Sequence, residues 1–156
     1  MLAPKESTLH TKLLIVTVLG ILTGNSFAQD QDLATSAKLA YRAFECAHLA
    51  SSQSDQVQKD RLFKLGITEA RRAGSAYIRG EITDQDLSRT EIMTTFFMDG
   101  PSQDFIAGRL YEGAGNHVWI NIKTASGGAD APLLDMRRIT SRMYQDKNCE
   151  LLGARR

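Results

Sequence analysis

No run of the 156 residues is apolar for long enough to stay in a membrane. The longest, Leu13 to Leu22 (LLIVTVLGIL), is half the roughly 20 residues a spanning helix needs. Its flanks give it another meaning. Lys5 and Lys12 precede it with Glu6 as the only acid, Thr23, Gly24 and Asn25 follow as expected helix breakers, and Ser26-Phe27-Ala28 puts small residues where a signal peptidase reads. Residues 1–28 therefore read as a cleaved secretory signal peptide, with Gln29 as the first mature residue. No cysteine directly follows the run at a processing site, which argues against a lipid anchor, and the mature part holds no further membrane segment.

Net charge is also lacking. Of 19 basic and 18 acidic residues the signal peptide removes Lys5, Lys12 and Glu6, leaving 17 of each. A dedicated nucleic-acid binder would be basic overall, so that class is excluded as the expected partner. Repeats and low-complexity tracts are missing as well, and the remaining residues 29–156 suit one domain with one core.

Cysteine is scarce: Cys46 and Cys149 are the whole supply. In an exported chain the economical reading pairs them, tying the first helix to the C-terminal segment across 103 residues. The rival reading, a Cys46 nucleophile with His48 or His117 as its base, is weak locally. Cys46 and His48 stand two apart on an expected helix, about 200° around it.

Motifs for catalysis are missing too. His48 and His117 are in no metal-ligand spacing and read as surface or locally bonded imidazoles. Gly113-Ala114-Gly115 and Gly127-Gly128 lack the strand and lysine of a phosphate loop and read as bends. No serine sits in a G-x-S-x-G elbow. No cofactor or metal is expected.

What is present is helical periodicity. Leu33, Ala37, Ala40, Tyr41, Phe44 and Ala47 recur at three- and four-residue steps, which predicts a first helix over about 32–50. A second, over about 56–79, carries Phe63, Ile67, Ala70, Gly74 and Tyr77 on one side and ends at Gly80; Gly66 and Gly74 on that side imply close packing. Thr83 caps a third helix over about 84–98. Asp99-Gly100-Pro101-Ser102 stops it and starts a fourth at Gln103. This fourth helix either bends at 113–115 and continues to Ile122, the favoured reading, or breaks before a short strand. Asp130 and Pro132 open a fifth, striped by Leu133, Met136, Ile139, Met143 and Tyr144, which ends near Asn148. The expected fold is all-α: a small single-domain bundle of about five helices.

Two side-chain groups remain as candidates for function. Arg61, Lys64, Arg71, Arg72 and Arg79 fall within about 100° of the second helix's wheel, opposite its apolar side, and form a candidate contact surface for an acidic protein or an anionic envelope component. Asp104, Arg109 and Glu112 crowd one segment. Asp104 suits a helix N-terminus, Arg109 and Glu112 are spaced as an i, i+3 ion pair, and two carboxylates about 12 Å apart along the axis are wide for glycoside hydrolysis. In export signal, size and cysteine use, though in no motif, the chain resembles periplasmic immunity or inhibitor proteins and small envelope-stress proteins. The expected function is thus a periplasmic or secreted binding or inhibitory protein that contacts another envelope protein or an anionic envelope component. The alternative is a small envelope hydrolase using carboxylates near Asp104 and Glu112.

Overall fold

A computed structural model of the chain describes the backbone of residues 24–88, 93–127 and 133–154. Five α-helices follow in order: α1 (Gly24–Ser52), α2 (Gln56–Ile78), α3 (Asp84–Ser88), α4 (Gln103–Ala125) and α5 (Leu133–Asp146). Short 3₁₀ turns occupy Met93–Phe97 and Cys149–Leu151, and no strand occurs among the described residues.

The first helix is the central one because its sequence allows neighbours on every side. Five consecutive residues, Ala43 to Ala47, are buried, which an amphipathic surface helix does not permit. Alanines at 34, 37, 40, 43, 47 and 50 keep α1 slim, so flanking helices approach its backbone. A three-residue turn at 53–55 reverses the chain. Ser54 takes a left-handed φ of 64°, and Asp55 caps α2 by accepting the Gln58 amide at 3.0 Å. The resulting α1–α2 hairpin forms one wall. α4 lies across both helices, and α5 packs on the C-terminal half of α1.

The core has two adjoining parts. Leu33, Ala37, Tyr41 and Phe44 of α1 meet Ala70, Ala73 and Ala76 of α2 and Ile106, Leu110 and Ala114 of α4. Farther along, Cys46, Leu49, Leu62, Val118, Ile122 and Tyr144 close around the Cys46–Cys149 disulfide, whose Cα atoms are 5.5 Å apart. The expected pairing of the first helix with the C-terminal segment is therefore present.

Aromatic rings laid on glycines explain the glycine-rich places. The Phe44 ring covers Gly66 so closely that an added Cβ would come within 2.5 Å of it. Phe97 covers Gly113 in the same way, and the His48 ring lies 2.8 Å from a Cβ built on Gly115. Gly74 admits Ile106 and the backbone of Gln103. Gly66 and Gly74 thus mark close packing, as their placement implies. The favoured continuation through Gly113-Ala114-Gly115 holds and the alternative strand is overturned: α4 runs from 103 to 125, and Gly113 and Gly115 make room for rings. Gly127, at φ +81°, is a true turn after α4; Gly128 lies outside the described residues.

Three boundaries also differ from the sequence reading. Helix α1 begins at Gly24, so Gly24 and Asn25 do not break it, and it continues two residues past Ala50. The third helix does not reach Met98. After the Thr83–Asp86 capping box (Oγ1 to Oδ2, 2.7 Å) the described α-helix covers Asp84–Ser88, residues 89–92 lie outside the described ones, and Met93–Phe97 is a 3₁₀ turn. Two threonines and two phenylalanines in succession favour helix weakly, and the carbonyls of Phe96 and Asp99 are taken by Arg109 at 2.6 and 2.5 Å. The fifth helix ends at Asp146, with Asn148 left-handed at φ 53°. Its expected start at Asp130 and Pro132 lies outside the described residues, as does the side chain of Leu133.

Candidate functional site

A carboxylate taken out of water costs several kcal/mol unless a cation meets it. The side chain of Glu45, on the central helix, is only 5% exposed. Its Oε2 accepts a hydrogen bond from Lys147 Nζ at 2.9 Å. Nδ1 of His117, on α4, lies 2.9 Å from Oε1 without an aligned hydrogen bond. Arg42 Nη2 donates to the Lys147 carbonyl at 3.3 Å. One carboxylate thus joins α1, α4 and the end of α5. Burial, and then the negative charge of Glu45, push the Tyr41 hydroxyl up to about 12, so it stays protonated and can donate to the Gly113 carbonyl at 3.4 Å. A carboxylate beside an imidazole is two parts of an acyl-transfer triad, but Cys46 is held in the disulfide. No hydroxyl or thiol is hydrogen-bonded to His117 among the described residues.

A second polar contact lies one helical turn away. The His48 ring stacks on Tyr111 at 4.3 Å, and its Nε2 is 3.1 Å from the Tyr111 carbonyl. A carbonyl only accepts, so Nε2 carries the proton and donates. Burial lowers the His48 pKa below its usual value; the Tyr111 hydrogen bond works against this and the positive charge of Lys59 adds to it. The neutral ring is the folded form. Since the unfolded chain then binds the extra proton more readily, His48 contributes stability that is present above about pH 6.5 and is lost as pH falls below it. Urea midpoints measured between pH 7.5 and 5 should fall, and His48→Gln should flatten that part of the profile; an unchanged profile in the variant would rule out this assignment. The partners of these two histidines lie far along the chain: His48 is hydrogen-bonded 63 residues away rather than locally, and His117, exposed as expected, contacts Glu45 72 residues away.

The arginine stripe is largely engaged within the molecule. Arg61 turns to the C-terminal segment, where Nη1 donates to Leu152 O at 2.7 Å and Nη2 to Cys149 O at 3.0 Å. Arg71 pairs with Asp104 of α4 at 2.6 Å, Arg72 lies 3.9 Å from the buried Glu69, and Arg79 forks onto Glu81 at 2.6 and 2.7 Å. Lys64 is exposed and has no ion-pair partner among the described residues. The other group is also divided. Asp104 faces Arg71, and Arg109 serves the carbonyls of Phe96 and Asp99, so the expected Arg109–Glu112 ion pair is corrected; Glu112 is exposed with no ion pair among the described residues.

Sequence reasoning passed over the outward face of α4. Phe105, Glu112 and Trp119 recur at seven-residue steps there, with Ile120 and Lys123 beside them. Phe105 is 51% exposed, Trp119 48% and Ile120 59%. Lys123 Nζ stands 5.7 Å above the Trp119 ring. The signal was legible in the seven-residue spacing, but exposed apolar residues and core residues look alike until the neighbours are known. Among the described residues no group of three or more His, Cys, Asp or Glu could hold a metal ion, and no helix is long and apolar enough to cross a membrane.

Fold and surface together define an all-helical domain closed by one disulfide. Comparisons with protein-family models, with curated proteins and with solved structures found no match.

Proposed function

We propose that the chain is an exported, periplasmic binding or inhibitory protein that acts by protein–protein contact, with the outward face of α4 as the contact surface. The observation that carries this reading is the exposure of Phe105, Trp119 and Ile120 along one rigid helix. Leaving those side chains in water forgoes the stability that burying them would give, and tryptophan in particular is enriched among residues that dominate protein interfaces. The disulfide agrees with an oxidising compartment. The arginine stripe is the weaker surface, since four of its five cations already have acceptors in the molecule.

Trp119 is the only tryptophan, so it reports directly on that face. Binding of the physiological partner should shift its emission to shorter wavelength as water leaves the ring. Trp119→Ala should weaken binding by about 30-fold or more while leaving the thermal midpoint nearly unchanged, as expected for a central interface aromatic. Full affinity in Trp119→Ala and in Ile120→Asp, with loss of affinity in Lys64→Glu, would return the contact to α2.

A further inference from the structure

The C-terminal segment is held by more than its sulfur bond. Arg61 on α2 is itself fixed by Gln58, whose Oε1 accepts from Nε at 2.8 Å. Its guanidinium then donates to the carbonyls of Leu152 at 2.7 Å, Cys149 at 3.0 Å and Glu150 at 3.4 Å. A planar fork with five donors suits several carbonyls of one tight turn, which a lysine would meet only one at a time. From the other side Lys147 reaches the buried Glu45, and Arg42 takes the Lys147 carbonyl. Apolar contacts add to these: Tyr144 and Leu152 belong to the core around Leu49 and Leu62, and Leu65 rests on Gly153, where a Cβ would come within 2.8 Å.

We infer that residues 147–154 stay docked on α1 and α2 when the Cys46–Cys149 bond is open, with Arg61 as the main clamp. The bond then adds stability without being needed to place the segment. The Arg61, Lys147, Arg42 and Leu65 contacts are made without either sulfur atom, and the carbonyls of 149, 150 and 152 have their donor on α2. Arg61 is a positioning residue here, not a contact for an outside partner.

Both sulfurs are 1% exposed, so alkylation reads the opening of each site separately. In full-length Cys46→Ser, Cys149 should react with iodoacetamide slower by about tenfold or more than in the same chain in urea. Cys46 in Cys149→Ser reports on the helical core in parallel. Adding Arg61→Met to Cys46→Ser should return most of the Cys149 reactivity, by about tenfold, while Cys46 in Cys149→Ser with Arg61→Met stays protected. Fast reaction of Cys149 with Cys46 still protected would show that the segment lets go without the bond, and fast reaction at both would show that the whole fold needs it; either overturns the inference. Protection of Cys149 that ignores Arg61→Met would overturn the role of the clamp.

Discussion

Replacing Phe44 with alanine is expected to lower folding stability by about 3–5 kcal/mol, the range for a phenylalanine removed from a closed core. Phe44 of α1 meets both α2 and α4. Phe44 is fully buried, its ring is 6.0 Å from Phe63 and 5.4 Å edge-on to Tyr111, and it packs closely against Gly66. The loss should appear as a lower urea midpoint with an unchanged slope. A second substitution makes the test specific. Gly66→Ala alone brings a Cβ to 2.5 Å from the ring and should destabilise, because overpacking by about 1–3 kcal/mol outweighs or matches the roughly 1 kcal/mol gained in helix propensity. In the Phe44→Ala background the clash is gone and the same change should become neutral or stabilising. Equal effects in both backgrounds would mean that the ring does not seat on Gly66.

Opening the disulfide by Cys46→Ala with Cys149→Ala should cost about 4–5 kcal/mol, because a bond closing 103 residues removes that much chain entropy from the unfolded ensemble. Helix content and Trp119 emission of the folded variant should match the native protein, since the segment keeps its Arg61 and Glu45 contacts. The loss then lies in the unfolded state, and the urea slope should rise as the unlinked chain exposes more surface. A loss under about 1 kcal/mol would place the stabilisation elsewhere.

Helices were readable wherever caps and apolar periodicity agreed. Ser102 accepts the Phe105 amide at 3.2 Å at the start of α4, and Gly80, at φ +71°, ends α2, both where the spacing puts them. Prediction failed where tertiary contacts overrode local preference: Arg109 claims the carbonyls after the third helix. The rings packed on Gly113 and Gly115 were not legible in the sequence either, because Phe97 and His48 lie far along the chain. Glu45 was hidden for a related reason. A single acid amid Ala43, Phe44, Cys46 and Ala47 looks like a solvent-facing position on a helix with one buried face, but α1 is covered all round. Only the arrival of His117 and Lys147, 72 and 102 residues away, makes its burial sustainable. The α2 stripe shows the converse, because charges that share a helical face in sequence were free to find acceptors on α4 and at the C-terminus.

The proposed contact surface on α4 is tested most directly by placing a photo-crosslinking amino acid at position 119, and separately at position 64, in the full-length chain and irradiating intact cells of its host. Crosslinks to one discrete protein from position 119, absent from position 64, are the predicted result. Crosslinks from position 64 alone, or none from 119 at native abundance, would contradict it.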